Sequence, residues 1–264
     1  MKQIKNVLVV GDSFTCVPHV LKNWAGYPVE HWLHILEQKY DWNVTNLSMA
    51  GSGPYNALRA FMDYDYEEFD LCIFAWSEPV RTFHYQVTDL NPHTAHSELY
   101  RQFADQNEVY DAAKGYYKHL YYRNLEMIKL MGTMKWFDEF IKEKYPNKLF
   151  WHLQCFGADK AEKVNQENLE EQRLYNIFEH GVTFYPSLFY FSVNDPEMRN
   201  INDLAKDSRH GHLSNQLHTF IANDMMQLLD GSITPKKKDN KSVWTFKDVC
   251  TVDDIKTLDI TRCV

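Results

Sequence analysis

Four apolar residues in an unbroken row, Val7 to Val10, mark the first element of the chain. A strand covered on both faces shows no polar alternation, so such a run predicts a buried strand of a parallel sheet. Apolar positions then recur at helical spacing (Val29, Trp32, Leu33, Leu36, Tyr40), and Val44 to Met49 reads as a second strand. A helix from about Pro54 and a third strand over Leu71 to Trp76 follow. From Pro79 to about Gly115 the pattern dissolves into polar and aromatic positions, among them Tyr85, His93, His96, Tyr100 and Tyr110, and is read as an insertion over the sheet. A long helix then runs to about Lys144, with Met127, Met131, Met134, Phe137 and Ile141 spaced for one buried face and Pro146 closing it. The rest predicts a strand over Leu149 to Leu153, a helix near Leu169 to Glu179 and a strand over Val182 to Tyr185. A last helix, capped by Ser214, buries Leu217, Phe220, Ile221, Met225 and Leu228.

Strand, helix and strand in alternation imply right-handed crossovers and hence an α/β fold with a central, mainly parallel five-stranded sheet. At 264 residues the chain is expected to form one large domain over residues 1–230, with the insertion at about 80–115, and a C-terminal extension over 231–264. Within that extension Lys236-Lys237-Lys238 reads as a solvated linker. Val243-Trp-Thr-Phe is either an added strand or a partner-binding segment.

Composition narrows the function classes. A net charge of −8 leaves no general phosphate-binding surface, so no nucleic-acid partner is expected. Hydrophobic residues make up 44% of the chain without an 18-residue apolar run, which predicts a soluble protein with no membrane span. MKQIKN followed by VLVV is too short an apolar stretch for a signal peptide, so a cytoplasmic location is expected. The five cysteines (Cys16, Cys72, Cys155, Cys250, Cys263) form no CxxC pair and read as reduced thiols. His210, His212 and His218 with Asp207 offer no fourth ligand at sequence spacing, and His93 and His96 are expected to face solvent, so no metal is called. No glycine-rich nucleotide loop follows the first strand, and no cofactor is expected.

Candidate chemistry gathers where the strands end, because the reactive crevice of an open α/β sheet lies outside the carboxyl ends of its strands. Gly11-Asp12-Ser13 follows the first strand, Asn46 to Gly51 closes the second, Trp76-Ser77-Glu78-Pro79 follows the third, and DSRHGHLSNQLH (207–218) leads into the last helix. A serine hydroxyl is a weak nucleophile until an imidazole takes its proton, and that imidazole needs an acid or carbonyl to fix it. Gly11 is expected to allow a sharp turn that leaves Ser13 at the crevice mouth. Backbone N–H groups there, with that of Gly51, are placed to stabilise an oxyanion.

These blocks resemble those of the SGNH (GDSL-type) hydrolases, esterases and lipases. Gly11-Asp12-Ser13-Phe14 is similar to the family's first block, with Ser13 as nucleophile, and Asn46-x-Ser48-x-x-Gly51 to its second, with Gly51 as an oxyanion donor. The last block has an Asp and a His three apart, which matches Asp207 and His210. The family histidine also falls just before the last helix, which matches His212, two residues before Ser214. His212 is favoured as the base with His210 the alternate, and Asp207 is the acid in either case. Ser77 stands where the family has an oxyanion asparagine, and Asp12, Trp76 and Glu78 are expected substrate contacts.

The resemblance covers about residues 5–230 and implies a three-layer flavodoxin-like sandwich. It further implies ester hydrolysis through an acyl-enzyme without metal or organic cofactor. With no lipid-sized apolar segment, the expected substrate is a small-molecule or carbohydrate ester carrying a small acyl group such as acetyl. The alternative is a non-catalytic binding or structural protein on the same fold, an alternative kept open by Ser77. Tyr116, Tyr117, Tyr121 and Tyr122 either line a sugar face or pack a helix.

Overall fold

The computed structural model describes residues 4–16, 30–64, 68–81, 107–155, 177–185, 187–188, 213, 215–232, 234–238 and 241–245. The elements run β1 (Asn6–Val10), α1 (Trp32–Tyr40), β2 (Asn43–Asn46), α2 (Pro54–Asp63), β3 (Leu71–Trp76), α3 (Asn107–His119) and α4 (Arg123–Lys144). They continue as β4 (Leu149–Gln154), β5 (Val182–Tyr185), α5 (Asn215–Leu229), β6 (Lys236–Lys238) and β7 (Lys241–Thr245). The strands lie side by side in the order β2-β1-β3-β4-β5-β7-β6. All five strands expected from the hydrophobic pattern are present, mutually parallel, in the 2-1-3-4-5 order of the flavodoxin-like fold.

The continuous apolar runs of β1 and β3 follow from cover on both faces. Val7, Val9, Leu71, Ile73 and Ala75 point to one side and pack with Trp32, Leu33 and Leu36 of α1 and Leu217, Ile221 and Met225 of α5. Leu8, Val10, Cys72, Phe74 and Trp76 point to the other and pack with Ala57 and Phe61 of α2 and Met127, Leu130, Met134, Phe137 and Ile141 of α4. Helix, sheet and helix thus make three layers. Burial of these side chains is the main favourable term holding them together.

Several boundaries differ from expectation. The insertion was expected to reach about Gly115, but Asn107–His119 is helical, and the long helix is divided by an elbow at 120–122. Tyr110, Ala113, Val109 and Tyr117 make a small apolar cluster of their own, a helical signal diluted by the polar residues between them. Tyr121 N–H bonds back to the Tyr116 carbonyl at 2.9 Å, the wide closure that ends a helix. The helix expected near Leu169 to Glu179 falls mostly outside the described residues. Its last positions, 177–179, are not helical: the buried Asp138 carboxylate accepts the N–H groups of Glu179 and His180 and holds a turn there. Lys236–Lys238 is not a solvated linker but an antiparallel edge strand on β7, and Val243 to Thr245 belong to a strand parallel to β5. Lysine has little strand preference by itself, so the pairing partner decides, and a lysine-rich edge discourages further strand addition.

His152 on β4 is buried against Phe178, ring on ring at 3.7 Å. Its Nδ1 accepts from Trp76 Nε1 at 3.3 Å and its Nε2 donates to the His180 carbonyl at 3.0 Å, so both nitrogens are used by the neutral form. Burial drives its pKa down to about 3. The unfolded chain then binds this proton more readily than the folded one. The His152 contribution is complete above the ordinary imidazole pKa of about 6.5 and is lost as pH falls from there towards 3. Urea unfolding midpoints are expected to fall between pH 7.5 and pH 4.5, and His152→Gln should flatten that fall.

Candidate functional site

The order of the sheet reverses at β1: the chain moves to β2 on one side, then returns to β3 on the other, with α1 and α2 on opposite faces. Such a switch point opens a crevice at the carboxyl ends of the strands. Gly11-Asp12-Ser13 sits there. Gly11 serves for a different reason from the one expected. Its backbone is not left-handed; rather, a Cβ on it would lie 2.5 Å from Ala75 Cβ and 2.5 Å from Thr15 Oγ1. Gly11→Ala should therefore force β1 from β3 and cost about 2–3 kcal/mol, read from chemical unfolding.

Asp12 has no exposed surface. One carboxylate oxygen accepts the Phe14 N–H at 3.0 Å, and its carbonyl accepts Thr15 N–H and Cys16 N–H, so this residue folds the turn that carries Ser13. Among the described residues its Oδ2 has no nitrogen or oxygen donor, and the Cys155 thiol hydrogen-bonds to the carboxylate. Burial first, then Asp12, push that thiol well above its ordinary value, which leaves Cys155 protonated and unreactive.

The loop after β2 is laced to the same turn. Met49 N–H donates to the Gly11 carbonyl at 3.1 Å, Asn46 Nδ2 to the Thr15 carbonyl at 2.8 Å, and Thr15 Oγ1 to Ser48 Oγ at 2.9 Å. Gly51 follows with φ of 79°, a conformation that side chains rarely adopt. Among the described residues, neither the Ser13 N–H nor the Gly51 N–H has an acceptor, and the half-buried Ser13 hydroxyl makes no hydrogen bond.

The third strand end divides its residues. Ser77 is buried and its hydroxyl has no partner among the described residues. Glu78 pairs with Arg81 at 3.1 Å, and Arg81 Nη1 donates to the Ser52 carbonyl at 3.3 Å, tying this loop to the one that carries Gly51. Trp76 is no substrate contact: its fully buried ring stacks on Phe74 and Phe178 in the α4 layer. Strand alternation sends its side chain into the core, away from the crevice.

Asp207, His210 and His212 lie outside the described residues. Ser214, the expected cap, lies outside them too, whereas Leu213 and the helix from Asn215 are described. Leu213 is buried in the cluster that holds Phe14, the neighbour of Ser13. On α5, His218 is buried, its Nδ1 accepting the Trp32 N–H at 3.3 Å and its ring 4.6 Å from that of His31. His31 Nε2 and Trp32 Nε1 both donate to the Phe14 carbonyl, each at 3.1 Å. His218 therefore packs, and with His31 it joins the start of α5 to the Ser13 turn. The sequence held no sign of His31: a lone histidine before a core tryptophan belongs to no pattern.

Beside the 51–54 loop lies a pocket of about 710 Å³, walled by Tyr55, Arg81, Tyr116, Glu126, Gly132 and Trp136. Tyr116 Oη donates to Glu126 at 3.0 Å and Lys129 Nζ at 2.7 Å, so the carboxylate is held in place. Desolvation and Glu126 together push the Tyr116 hydroxyl up to about 12, which keeps it a donor at any physiological pH. Among the described residues, no three His, Cys, Asp or Glu side chains converge as a metal would require.

No family model matches the chain, and no curated protein matches it. Solved structures do resemble it. A protein described as a GDSL-like lipase from Parabacteroides merdae is 14% identical, with a TM-score of 0.44 over 88% of this chain and 97% of that one. A carbohydrate esterase is 10% identical, with a TM-score of 0.47 over 91% of this chain and 71% of that one. A Bacillus subtilis protein is 16% identical, with a TM-score of 0.45 over 87% of this chain and 57% of that one. These are similarities only; the fold rests on the strand order and layers above.

Proposed function

We propose that the chain is a serine hydrolase of the SGNH type that removes a small acyl group, such as acetyl, from a carbohydrate or similar ester. One observation carries the reading: Ser13 follows β1 at the switch point, and among the described residues neither its N–H nor that of Gly51, in the loop laced to the same turn, has an acceptor. Ser77 Oγ, buried and without a partner among the described residues, would be a third donor at the next strand end. A buried donor left unpaired is costly, and an oxyanion that forms only during reaction is a partner that would satisfy it.

In the proposed reaction Ser13 Oγ attacks the ester carbonyl while His212, or His210 in its place, takes the proton, with Asp207 orienting the ring. The negative charge that forms on the carbonyl oxygen is met by the N–H groups of Ser13 and Gly51 and by Ser77 Oγ. Collapse expels the alcohol, which takes the proton from the imidazole. Water, deprotonated by the same imidazole, then releases the acid and frees Ser13.

The pocket suits the alcohol side of a neutral sugar ester. Its aromatic walls offer flat apolar faces, and Arg81 and Lys129 are already matched by Glu78 and Glu126. A Cβ at Gly132 would meet nothing within 4 Å, so a side chain there enters the pocket without disturbing the core. Gly132→Leu should raise KM for an acetylated sugar several-fold, leave p-nitrophenyl acetate turnover unchanged, and stabilise α4 by up to about 1 kcal/mol. A fluorophosphonate probe tests the reading as a whole. Labelling mapped to Ser13 is expected, and a wild-type chain that takes no label would assign it to the non-catalytic class.

A further inference from the structure

Glu126 is only 9% exposed, yet one of its two oxygens does all the bonding: Oε1 accepts from Tyr116 Oη at 3.0 Å and from Lys129 Nζ at 2.7 Å. Among the described residues, Oε2 has no hydrogen bond. Lys129 is also incompletely used, since an ammonium carries three N–H bonds and Glu126 takes one of them. Both side chains line the pocket, and the chemistry proposed for Ser13 uses neither. A carboxylate oxygen so nearly buried is costly to leave unbonded, so what the wall lacks is a donor from a ligand.

Helical spacing places these groups together. Glu126 and Lys129 lie one turn apart on α4, and Thr133 and Trp136 continue the same line along the pocket wall. Their charges cancel, and Arg81, also in the wall, is matched by Glu78. A cationic ligand would meet Lys129 and Arg81, and an anionic one would meet Glu126, so the complementary ligand is neutral and rich in hydroxyls. Trp136 adds a flat apolar face: it is half-exposed, and its ring is held by stacking on Phe140 at 5.4 Å.

We propose that the pocket is a pyranose site in which Glu126 and Lys129 together read two neighbouring free hydroxyls, a site that rests on the sugar-ester function proposed above and names its specificity. One hydroxyl donates to Glu126 Oε2, the next accepts from Lys129 Nζ, and the ring lies against Trp136. Neighbouring ring hydroxyls stand side by side, as the carboxylate and the ammonium do. A lone hydroxyl would satisfy only one of the two. The acyl group that Ser13 removes therefore sits elsewhere on the sugar, outside this diol.

Saturation-transfer NMR of the full chain with the methyl pyranosides of glucose, galactose, mannose and xylose tests the site without requiring hydrolysis. At least one should bind, and removing either hydroxyl of one neighbouring pair, as the monodeoxy sugar, should weaken it about tenfold. Glu126→Gln should reduce the penalty at the donating hydroxyl to about threefold, and Lys129→Met should abolish the penalty at the accepting one. Each penalty compares two sugars on one preparation, so a merely structural role for either residue does not move it. Lys129 is exposed, and its variant keeps the test open if Glu126→Gln folds poorly. Absence of binding by all four sugars, equal binding of the deoxy sugars, or penalties unchanged in the variants would overturn the proposal. Tighter binding of tetramethylammonium than of any sugar would also overturn it and assign the pocket to a cation. Fluorophosphonate labelling separates the two proposals: label on Ser13 without a deoxy penalty removes the diol site alone, and a deoxy penalty without label removes the hydrolase alone.

Discussion

Ser13→Ala is expected to lower kcat/KM for p-nitrophenyl acetate by at least about a thousandfold while leaving the urea midpoint where it is. In the proposed mechanism the loss follows from removing the atom that forms the covalent intermediate, for which neither a neighbouring hydroxyl nor the proposed oxyanion donors can substitute. The unchanged stability follows from the structure. The Ser13 hydroxyl makes no hydrogen bond among the described residues, and its turn is folded by the Asp12 carboxylate and carbonyl instead. A half-buried hydroxyl without a partner is worth no more than about 0.5 kcal/mol to the fold. Rate loss and stability are thereby separated in one variant. Steady-state kinetics and urea unfolding on the same preparation decide the matter: equal rates for the two proteins would remove Ser13 from the chemistry, and a large drop in midpoint would make it a structural residue.

Trp76→Ala should have the opposite signature. The indole fills the space between the sheet and α4, touching Phe74, Phe137 and Phe178, and its Nε1 supplies the donor that His152 Nδ1 accepts. Removing it leaves a cavity and an unpaired buried nitrogen, at a cost of about 3–5 kcal/mol. In a domain of this size that corresponds to a fall in melting temperature on the order of 10 °C. Trp76→Phe keeps most of the ring volume and loses the donor, so it should fall between the two. Because the ring points away from the crevice, KM for the folded fraction is expected to stay as it was. A KM that rises with little thermal shift would return Trp76 to the substrate side.

Trp76 also shows where reading the chain stops. Its place at a strand end, next to Ser77, was visible in the sequence; which of the two points into the crevice depends on the phase of strand alternation, and only the packed sheet sets that phase. Trp76 falls on the side of Phe137, while Ser77 is buried with its hydroxyl unpaired among the described residues. Gly11 is a similar case. Its position after β1 was plain, but the reason for it is the approach of Ala75, a residue 64 positions further along the chain. The three lysines from 236 read as solvated because nothing local favours a strand there, and β7 supplies the missing partner.

What the sequence determined by itself is the five central strands β1 to β5, their alternation with helices, and the location of Gly11-Asp12-Ser13, Gly51 and Ser77 after strand ends. These follow from local rules: a strand covered on both faces must be apolar throughout, and a crossover connection must be long enough to hold a helix. The tertiary structure alone decided the long-range contacts around those positions. Trp32 N–H on His218 joins residues 186 apart, and the Phe14 carbonyl gathers His31 and Trp32 around the Ser13 turn. Such contacts are invisible along the chain because their energy depends on distance in space, and folding sets that distance only once both layers of helices have closed on the sheet.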